Sequence, residues 1–206
     1  MLAIHPRVLI VDDGSTDGCV EPVKSLPVDI LTLPVNRGKG VALIEGFRKG
    51  LSDPAIECIA TLDADGQHRA TELPHLYQAF QERRADLLIG ARTFTGNDVP
   101  LRSRLGNKAT IVLTAIFLGH RVPDTQSGYR LHRRGFLNEI LSAVKGGRYE
   151  TEMEILALAF AKGFTVKSEP IETIYENHNQ SSHFNPLRDS VLVYKKLFLA
   201  SLRRFF

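Results

Sequence analysis

Short apolar runs alternate along the chain with segments of helical periodicity, and this alternation constrains the fold more than any other feature. The predicted strands are rich in β-branched residues and end at turn-forming clusters. They cover residues 7–11, 28–33, 57–62, 86–90 and 165–174. Apolar residues at helical spacing predict helices over residues 41–51, 73–80, 103–118, 150–161 and 187–206. This order predicts an α/β fold with a mostly parallel sheet flanked by helices.

Length and composition exclude several other classes of protein. The chain has 206 residues, of which 43% are hydrophobic and 24% are charged, and these values exclude a disordered chain. Its start does not have the pattern of a signal peptide, and its longest nearly apolar stretch, residues 109–119, is too short to span a bilayer. Cys19 and Cys58 form no metal-binding or disulfide spacing, which favours a reducing compartment.

The net charge of +3 is unevenly distributed along the chain. Residues 191–206 contain four basic residues and no acidic one, so the rest of the chain carries a net charge of −1. This distribution argues against a protein that binds nucleic acid over its whole surface. We therefore divide the chain into a body, residues 1–186, and a basic amphipathic helix, residues 187–206. The basic face of that helix suits an anionic membrane surface, and the alternative is a helix docked on the core.

Charged clusters follow the first three predicted strands. Asp12 and Asp13 follow the first strand, residues 36–40 follow the second, and Asp63 and Asp65 follow the third. Because ligands of parallel sheets bind at the carboxyl ends of the strands, we expect these acidic, basic and acidic clusters to share one rim.

The third cluster has the residue types of a metal site. Asp63 and Asp65 follow a buried strand, and Gln67 adds an amide oxygen. Oxygen ligands of this kind suit Mg²⁺ or Mn²⁺, with substrate phosphates completing the coordination shell. The alternative is a pair of turn carboxylates that cap the following helix.

The second cluster has the residue types of a diphosphate site. Arg37 and Lys39 supply positive charge, and backbone amides at a helix start favour bound phosphate. The alternative is a basic turn before an amphipathic helix. At the first cluster, a buried carboxylate could accept hydrogen bonds from a base or a ribose.

Five motifs in order resemble those of the family 2 glycosyltransferases of GT-A fold, and specifically the polyprenyl (dolichyl) phosphate sugar synthases. They are Ile10-Val11-Asp12-Asp13-Gly14-Ser15-Thr16-Asp17, Asn36-Arg37-Gly38-Lys39-Gly40, Thr61-Leu62-Asp63-Ala64-Asp65-Gly66-Gln67-His68, Ile89-Gly90-Ala91-Arg92 and Asp124-Thr125-Gln126-Ser127-Gly128-Tyr129-Arg130. The resemblance covers residues 7–190 and implies a Rossmann-like, nucleotide-diphospho-sugar transferase fold.

The resemblance also implies roles for individual residues. The implied nucleotide-sugar site consists of Asp12, Asp13, Arg37, Lys39, Asp63 and Ala64. The implied metal ligands are Asp63, Asp65 and Gln67, and the implied catalytic residues are Asp65, Arg92 and Asp124. The implied acceptor site consists of Arg92, Arg102, Arg104, Ser127 and Arg130. The alternatives are a structural ion pair for Arg92 and a simple turn cap for Asp124.

The activity implied by the resemblance is transfer of a sugar, with inversion, from a nucleotide-diphosphate sugar to a polyprenyl phosphate. We expect it at the cytoplasmic face of the cell membrane, in contact with the membrane surface and with a membrane-protein partner. One alternative is a hydroxyl acceptor, for which Asp124 or Glu152 would be the general base. The other is a chain without catalytic activity.

The sequence departs from the family at its start. The family begins with a strand and a Pro-Ala-Tyr-Asn-Glu-like loop, whereas only eleven residues precede Asp12 here and none resembles that loop. Loss of that strand would leave its neighbours in the sheet unpaired. We therefore hypothesise a fragment or a misassigned start. An in-frame upstream segment encoding the strand would support this hypothesis, and a stop codon immediately upstream would refute it.

Overall fold

Strands and helices alternate in the computed structural model, which describes residues 7–92, 110–112, 114–148 and 150–172. The strands are β1 (Leu9–Asp12), β2 (Asp29–Thr32), β3 (Cys58–Thr61), β4 (Leu87–Arg92), β5 (Arg130–Arg133) and β6 (Val166–Ile171). The helices are α1 (Lys39–Leu51), α2 (Leu73–Glu82), α3 (Arg134–Ala143) and α4 (Glu150–Ala161). Residues 110–112 and 114–118 are also helical. The predicted α/β class is confirmed.

The strands form two hydrogen-bonded sheets. Strands β1 and β2 pair in parallel, with Ile10 opposite Ile30. The second sheet has the order β3-β5-β4-β6. Because β5 runs antiparallel to β3 and β4, and β6 runs parallel to β4, three strands of this sheet point in the same direction. The mostly parallel arrangement is therefore confirmed, with β5 as the exception.

The central strand β4 separates two apolar cores. Leu87 and Ile89 face a core shared with α1, α3 and α4. Leu88, between them, faces a second core that contains Leu76 and Phe80 of α2. Since successive side chains of a strand point to opposite faces, this alternation places helices on both sides of the sheet.

Helix α1 contacts strands of both sheets. A Cβ added at Gly46 would lie 3.0 Å from the Val11 side chain of β1, and one added at Gly50 would lie 2.7 Å from Ile59 of β3. In the part of the chain that the structure describes, no ladder joins β1 to β3. The shared helix α1 therefore holds β1 and β3 near each other.

The strands and helices predicted from the sequence do not include β5 or α3. Three of the four residues of β5 are Arg or His, so the segment has no apolar run. Tertiary contacts compensate for this polarity. The Arg130 guanidinium donates to three backbone carbonyls, and the Arg133 guanidinium lies over the Phe80 ring.

His132 of β5 predicts a pH-dependent stability. Its ring is completely buried against Phe47, and burial, with the charge of Arg130, lowers its pKa to about 3. In the unfolded chain the His132 imidazole becomes protonated below about pH 6.5, whereas in the folded chain it stays neutral down to about pH 3. The free energy of unfolding should therefore fall as the pH drops towards 3. The expected loss is about 2 kcal/mol between pH 7 and pH 5.

Urea unfolding at the two pH values measures this loss, and His132→Leu should remove it. The same substitution at exposed His120 is the control. An equal pH dependence in wild-type protein and His132→Leu would contradict the assignment to His132.

Within residues 7–92, 110–112, 114–148 and 150–172, no helix is both long enough and apolar enough to cross a membrane. The predicted basic helix, residues 187–206, lies outside the described residues, so its role at a membrane stays a prediction.

Candidate active site

The end of β1 provides two carboxylates with different partners. Asp12 is buried, and its pKa lies below the usual value because the side chain and backbone N–H of Ser15 donate to it. The two oxygens of Asp13 accept the backbone N–H groups of Arg37, at 2.8 Å, and Gly38, at 2.7 Å. Asp13 therefore fixes the basic loop after β2 against the end of β1, which confirms that these two clusters share one rim.

The amides at the start of α1 are bonded within the protein. The carbonyl of Gly147 accepts the N–H groups of Gly40, at 2.9 Å, and Val41, at 3.3 Å. With the Asp13 bonds to residues 37 and 38, three amides of the 36–40 segment already have partners within the protein. These three amides do not fit the predicted diphosphate contact, and the side chains of Arg37 and Lys39 are the groups that could contact phosphate.

Lys39 links the start of α1 to two acidic side chains. Its Nζ lies 2.7 Å from Oδ1 and 2.9 Å from Oδ2 of Asp63, and 3.0 Å from Oε1 of Glu152 in α4. Burial alone would lower the pKa of Lys39, but the charges of Glu152 and Asp63 outweigh it and raise the pKa above its usual value. Lys39 is therefore charged at physiological pH.

Two glycines allow close approach of the segments that carry Lys39, Asp63 and Glu152. A Cβ at Gly40 would overlap the Thr151 side chain of α4 and lie 2.8 Å from the backbone nitrogen of Gly147. A Cβ at Gly128 would overlap the Asp63 carboxylate. These two positions exclude any larger side chain, since interiors are packed too tightly to absorb one without movement.

The contact at Gly40 makes a prediction about stability. Gly40→Ala should lower the free energy of unfolding by about 2 kcal/mol, because the neighbouring backbone of residue 147 must move. Gly135→Ala in α3 is the matched control, since nothing lies within 4 Å of its added Cβ. That control should be neutral or stabilising by up to about 1 kcal/mol. Urea denaturation compares the two variants, and equal stabilities would contradict the packing argument.

The predicted metal ligands lie on the turn after β3. Asp65 is exposed, and its Oδ1 accepts the backbone N–H of Gln67 at 3.0 Å. The carboxylates of Asp63 and Asp65 and the amide oxygen of Gln67 are oxygen ligands, which fit a hard divalent cation. Both oxygens of Asp63 are instead paired with Lys39. Among the described residues, no cluster of three or more His, Cys, Asp or Glu side chains is arranged as a metal site.

Arg92, at the end of β4, forms a two-point ion pair with Asp124. Its Nε lies 2.7 Å from Oδ2, and its Nη2 lies 3.1 Å from Oδ1. Asp124 is fully buried and also accepts the backbone N–H of Gln126. The Arg92 side chain is 21% exposed, so one part of it faces solvent at the rim. Asp124 therefore orients Arg92, and neither of its oxygens is unpaired as a general base would require.

Two predicted acceptor residues point away from solvent. Arg130 is 1% exposed, and its guanidinium donates to the carbonyls of Ser127, Thr125 and Glu152 at 2.7–2.9 Å. Ser127 is also buried, and its hydroxyl accepts the N–H of Tyr129. Contact of Arg130 or Ser127 with an acceptor does not fit this geometry. Both residues instead hold the 124–128 loop in place, and Arg130 ties it to α4.

The other predicted site residues divide into two groups. Ala64 lies exposed on the turn between Asp63 and Asp65. Arg102 and Arg104 lie outside the described residues, so their proposed role is untouched by the structure.

His68 is a site residue to which the sequence reading gave no role. It follows the predicted metal ligands in the sequence. Burial lowers the pKa of His68, the charge of Arg92 lowers it further, and the charges of Asp63 and Asp124 partly oppose this. Its Nδ1 is buried and has no hydrogen-bond partner within the described part of the chain, and its ring lies 5.5 Å from that of Tyr129. Its position three residues after Asp65 was the signal that could have identified it.

The chain is similar in sequence to known proteins. The model of the family described as "Glycosyl transferase family 2" matches residues 4–141. The polyprenol monophosphomannose synthase of Mycolicibacterium smegmatis is 33% identical, over 80% of this chain and 65% of that protein. The undecaprenyl-phosphate mannosyltransferase of Micrococcus luteus is 30% identical, over 84% of this chain and 74% of that protein.

A solved structure shows the same fold. The glucosyl-3-phosphoglycerate synthase of Mycobacterium tuberculosis, crystallised with Mn²⁺, uridine diphosphate and phosphoglyceric acid, superposes with a TM-score of 0.67. It is 16% identical, and the match covers 96% of this chain and 67% of that one. The fold is therefore of the GT-A type. The chain belongs to glycosyltransferase family 2, which confirms the prediction from its motifs.

Proposed function

We propose that this protein transfers a sugar, with inversion, from a nucleotide-diphosphate sugar to a polyprenyl phosphate. The observation that carries the proposal is that the Asp63 carboxylate and the Arg92 guanidinium, which buried Asp124 holds in place, both lie close enough to His68 for their charges to act on it. Relatives named as polyprenol and undecaprenyl-phosphate mannose enzymes support the lipid acceptor.

The donor site in this proposal is the rim of β1, β2 and β3. The Asp12 carboxylate accepts hydrogen bonds from the nucleoside, Asp13 fixes the loop, and the exposed Arg37 side chain contacts the diphosphate. Asp63, Asp65 and Gln67 would hold Mg²⁺ or Mn²⁺. When bound, such a cation supplies Lewis-acid stabilisation of charge on the leaving diphosphate.

Arg92 orients the acceptor in this mechanism. Its guanidinium binds the lipid phosphate, and one phosphate oxygen attacks the anomeric carbon from the face opposite the leaving group. The new carbon–oxygen bond forms as the bond to the diphosphate breaks, and the nucleoside diphosphate leaves. The second pKa of a phosphate monoester is about 6, so the nucleophile is already ionised and needs no strong general base.

The pairing of the nearby acids favours a phosphate over a hydroxyl acceptor. A hydroxyl acceptor needs a base such as Asp124 or Glu152. Asp124 is bound to Arg92 at two points, and Glu152 is bound to Lys39, so both carboxylates are neutralised by cations. We place the reaction at the inner face of the cell membrane, where the basic segment 187–206 contacts anionic lipid and a membrane-protein partner.

Transfer from radiolabelled donors tests the proposal. The full chain is incubated with Mn²⁺, each of several uridine and guanosine diphosphate sugars, and vesicles containing either undecaprenyl phosphate or undecaprenol. We expect label in the lipid fraction only with the phosphate. Label in a product with the free alcohol, or release of free sugar alone, would contradict the lipid-phosphate acceptor.

A further inference from the structure

The Asp63 carboxylate is already neutralised by a cation of the chain itself. Lys39 Nζ lies within 3 Å of both Asp63 oxygens, at 2.7 and 2.9 Å. The proposed function assigns the same carboxylate to a divalent cation, and two cations that compete for one carboxylate weaken each other's binding.

Glu152 provides a second partner for the same ammonium group. Its Oε1 lies 3.0 Å from Lys39 Nζ, and its side chain is 9% exposed compared with 28% for Asp63. An ammonium has three N–H donors, so Lys39 can leave Asp63 and remain bound to Glu152. The buried partner is therefore the permanent one, and the more exposed partner is exchangeable.

The charges of the cluster fit such an exchange. Lys39, Asp63 and Glu152 sum to −1, and Asp65 brings the total to −2. A divalent cation neutralises this total while Lys39 stays in the site, so no charged side chain has to be expelled into solvent.

We infer that Lys39 is an exchangeable counter-ion of Asp63, which neutralises this carboxylate before loading and moves fully to Glu152 when a divalent cation binds. The inference rests on the proposed function, because it uses the same carboxylate. It gives Lys39 a positioning role and makes it a residue that sets the affinity for the metal.

The backbone around Lys39 supports this two-position arrangement. Helix α1 begins at Lys39, and its next amide is bonded to the Gly147 carbonyl, three residues before the start of α4. Gly40 packs directly on Thr151, beside Glu152. The two helix starts thus keep Lys39 close to Glu152, whereas Asp63 belongs to the separate turn after β3.

Binding of Mn²⁺ alone tests the inference without any catalytic readout. Electron paramagnetic resonance of free Mn²⁺ gives the Kd for the full chain in the absence of nucleotide. Lys39→Met should bind Mn²⁺ about tenfold more tightly than the wild type, because the competing charge is lost. Lys39→Arg keeps the charge and should stay within about twofold. Lys49→Met, at the other end of α1, removes the same charge about 15 Å away and should also stay within about twofold.

Glu152→Gln provides a second variant. It removes the carboxylate to which Lys39 retreats, so Mn²⁺ should bind about tenfold more weakly than to the wild type. Circular dichroism checks the folding of each variant, and if Lys39→Met does not fold, Glu152→Gln decides. A Kd for Lys39→Met equal to or weaker than that of the wild type, or an unchanged Kd for Glu152→Gln, overturns the inference.

The outcomes separate the inference from the proposed function. Tighter Mn²⁺ binding by Lys39→Met, together with no sugar transfer to polyprenyl phosphate by the wild-type protein, supports the counter-ion role and overturns the proposed reaction. Normal transfer by a wild-type protein that does not bind Mn²⁺ overturns the counter-ion role alone.

Discussion

Replacing Asp63 with asparagine should reduce sugar transfer by at least about a hundredfold, one of the two largest effects expected of a single substitution. The substitution preserves shape but removes the charge that faces Lys39 and that would hold the cation. The proposed nucleoside contact at Asp12 and the loop that Asp13 fixes remain, so kcat should fall more than the affinity for the nucleoside diphosphate. Steady-state kinetics and calorimetry with the nucleoside diphosphate separate these effects.

Two further variants make this prediction specific. Asp53→Asn removes an equally negative side chain, which pairs with Arg7 on the surface, and should leave transfer unchanged. Gly128→Ala leaves the Asp63 carboxylate chemically intact but pushes it aside, so transfer should fall here as well. Transfer by Asp63→Asn within about threefold of the wild type would contradict the role of Asp63 in metal-assisted departure of the diphosphate.

Replacing Arg92 with alanine should lower kcat/KM for polyprenyl phosphate by about a hundredfold, while binding of the nucleotide sugar is preserved. Arg92 lies at the end of β4, and its ion pair with Asp124 fixes the direction of the guanidinium. The KM for the lipid and the Kd for the nucleotide sugar are measured separately. Arg48→Ala, on the exposed side of α1, is the control for loss of one arginine.

The effect of Arg92→Ala on protein stability has to be separated from its effect on recognition of the lipid phosphate. Arg92→Ala leaves the fully buried Asp124 carboxylate without its cation, at a cost of about 3 kcal/mol. Adding Asp124→Asn to Arg92→Ala removes that buried charge and should restore much of the stability without restoring use of the lipid phosphate. Normal kcat/KM for the lipid in either variant would refute Arg92 as the acceptor residue.

The position of the carboxylates at the strand ends could be predicted from the sequence. Asp12, Asp13 and Asp63 follow short β-branched runs, and because ligands of parallel sheets bind at the carboxyl ends of the strands, the sequence predicts that they share one rim. The Asp13 bonds to the loop after β2 and the ion pair of Lys39 with Asp63 confirm that placement. Local sequence was sufficient here because strand ends and turns are governed by neighbouring residues.

Arg130 shows where the sequence reading failed. The family resemblance implies that Arg130 contacts the acceptor, yet its guanidinium is buried and satisfied by carbonyls of the 124–128 loop and of α4. The same contacts explain why β5 was missed. Whether a polar segment is exposed or becomes the second strand of a sheet depends on partners far along the chain, which periodicity does not report.

The sequence by itself determined the α/β class, the order of most strands and helices, the glycosyltransferase family and the residue types at the rim. Only the tertiary structure decided which side chains pair: Lys39 with Asp63 and Glu152, Arg92 with Asp124, and Arg130 with the loop it holds. The physical reason is the separation along the chain of the residues that interact. Strand and helix patterns arise between residues a few positions apart, whereas these pairs join residues separated by 24 to 113 positions in all but the Arg130 loop contacts. Long-range packing brings charges together, and it is packing that decides whether a charge binds a ligand or another part of the protein.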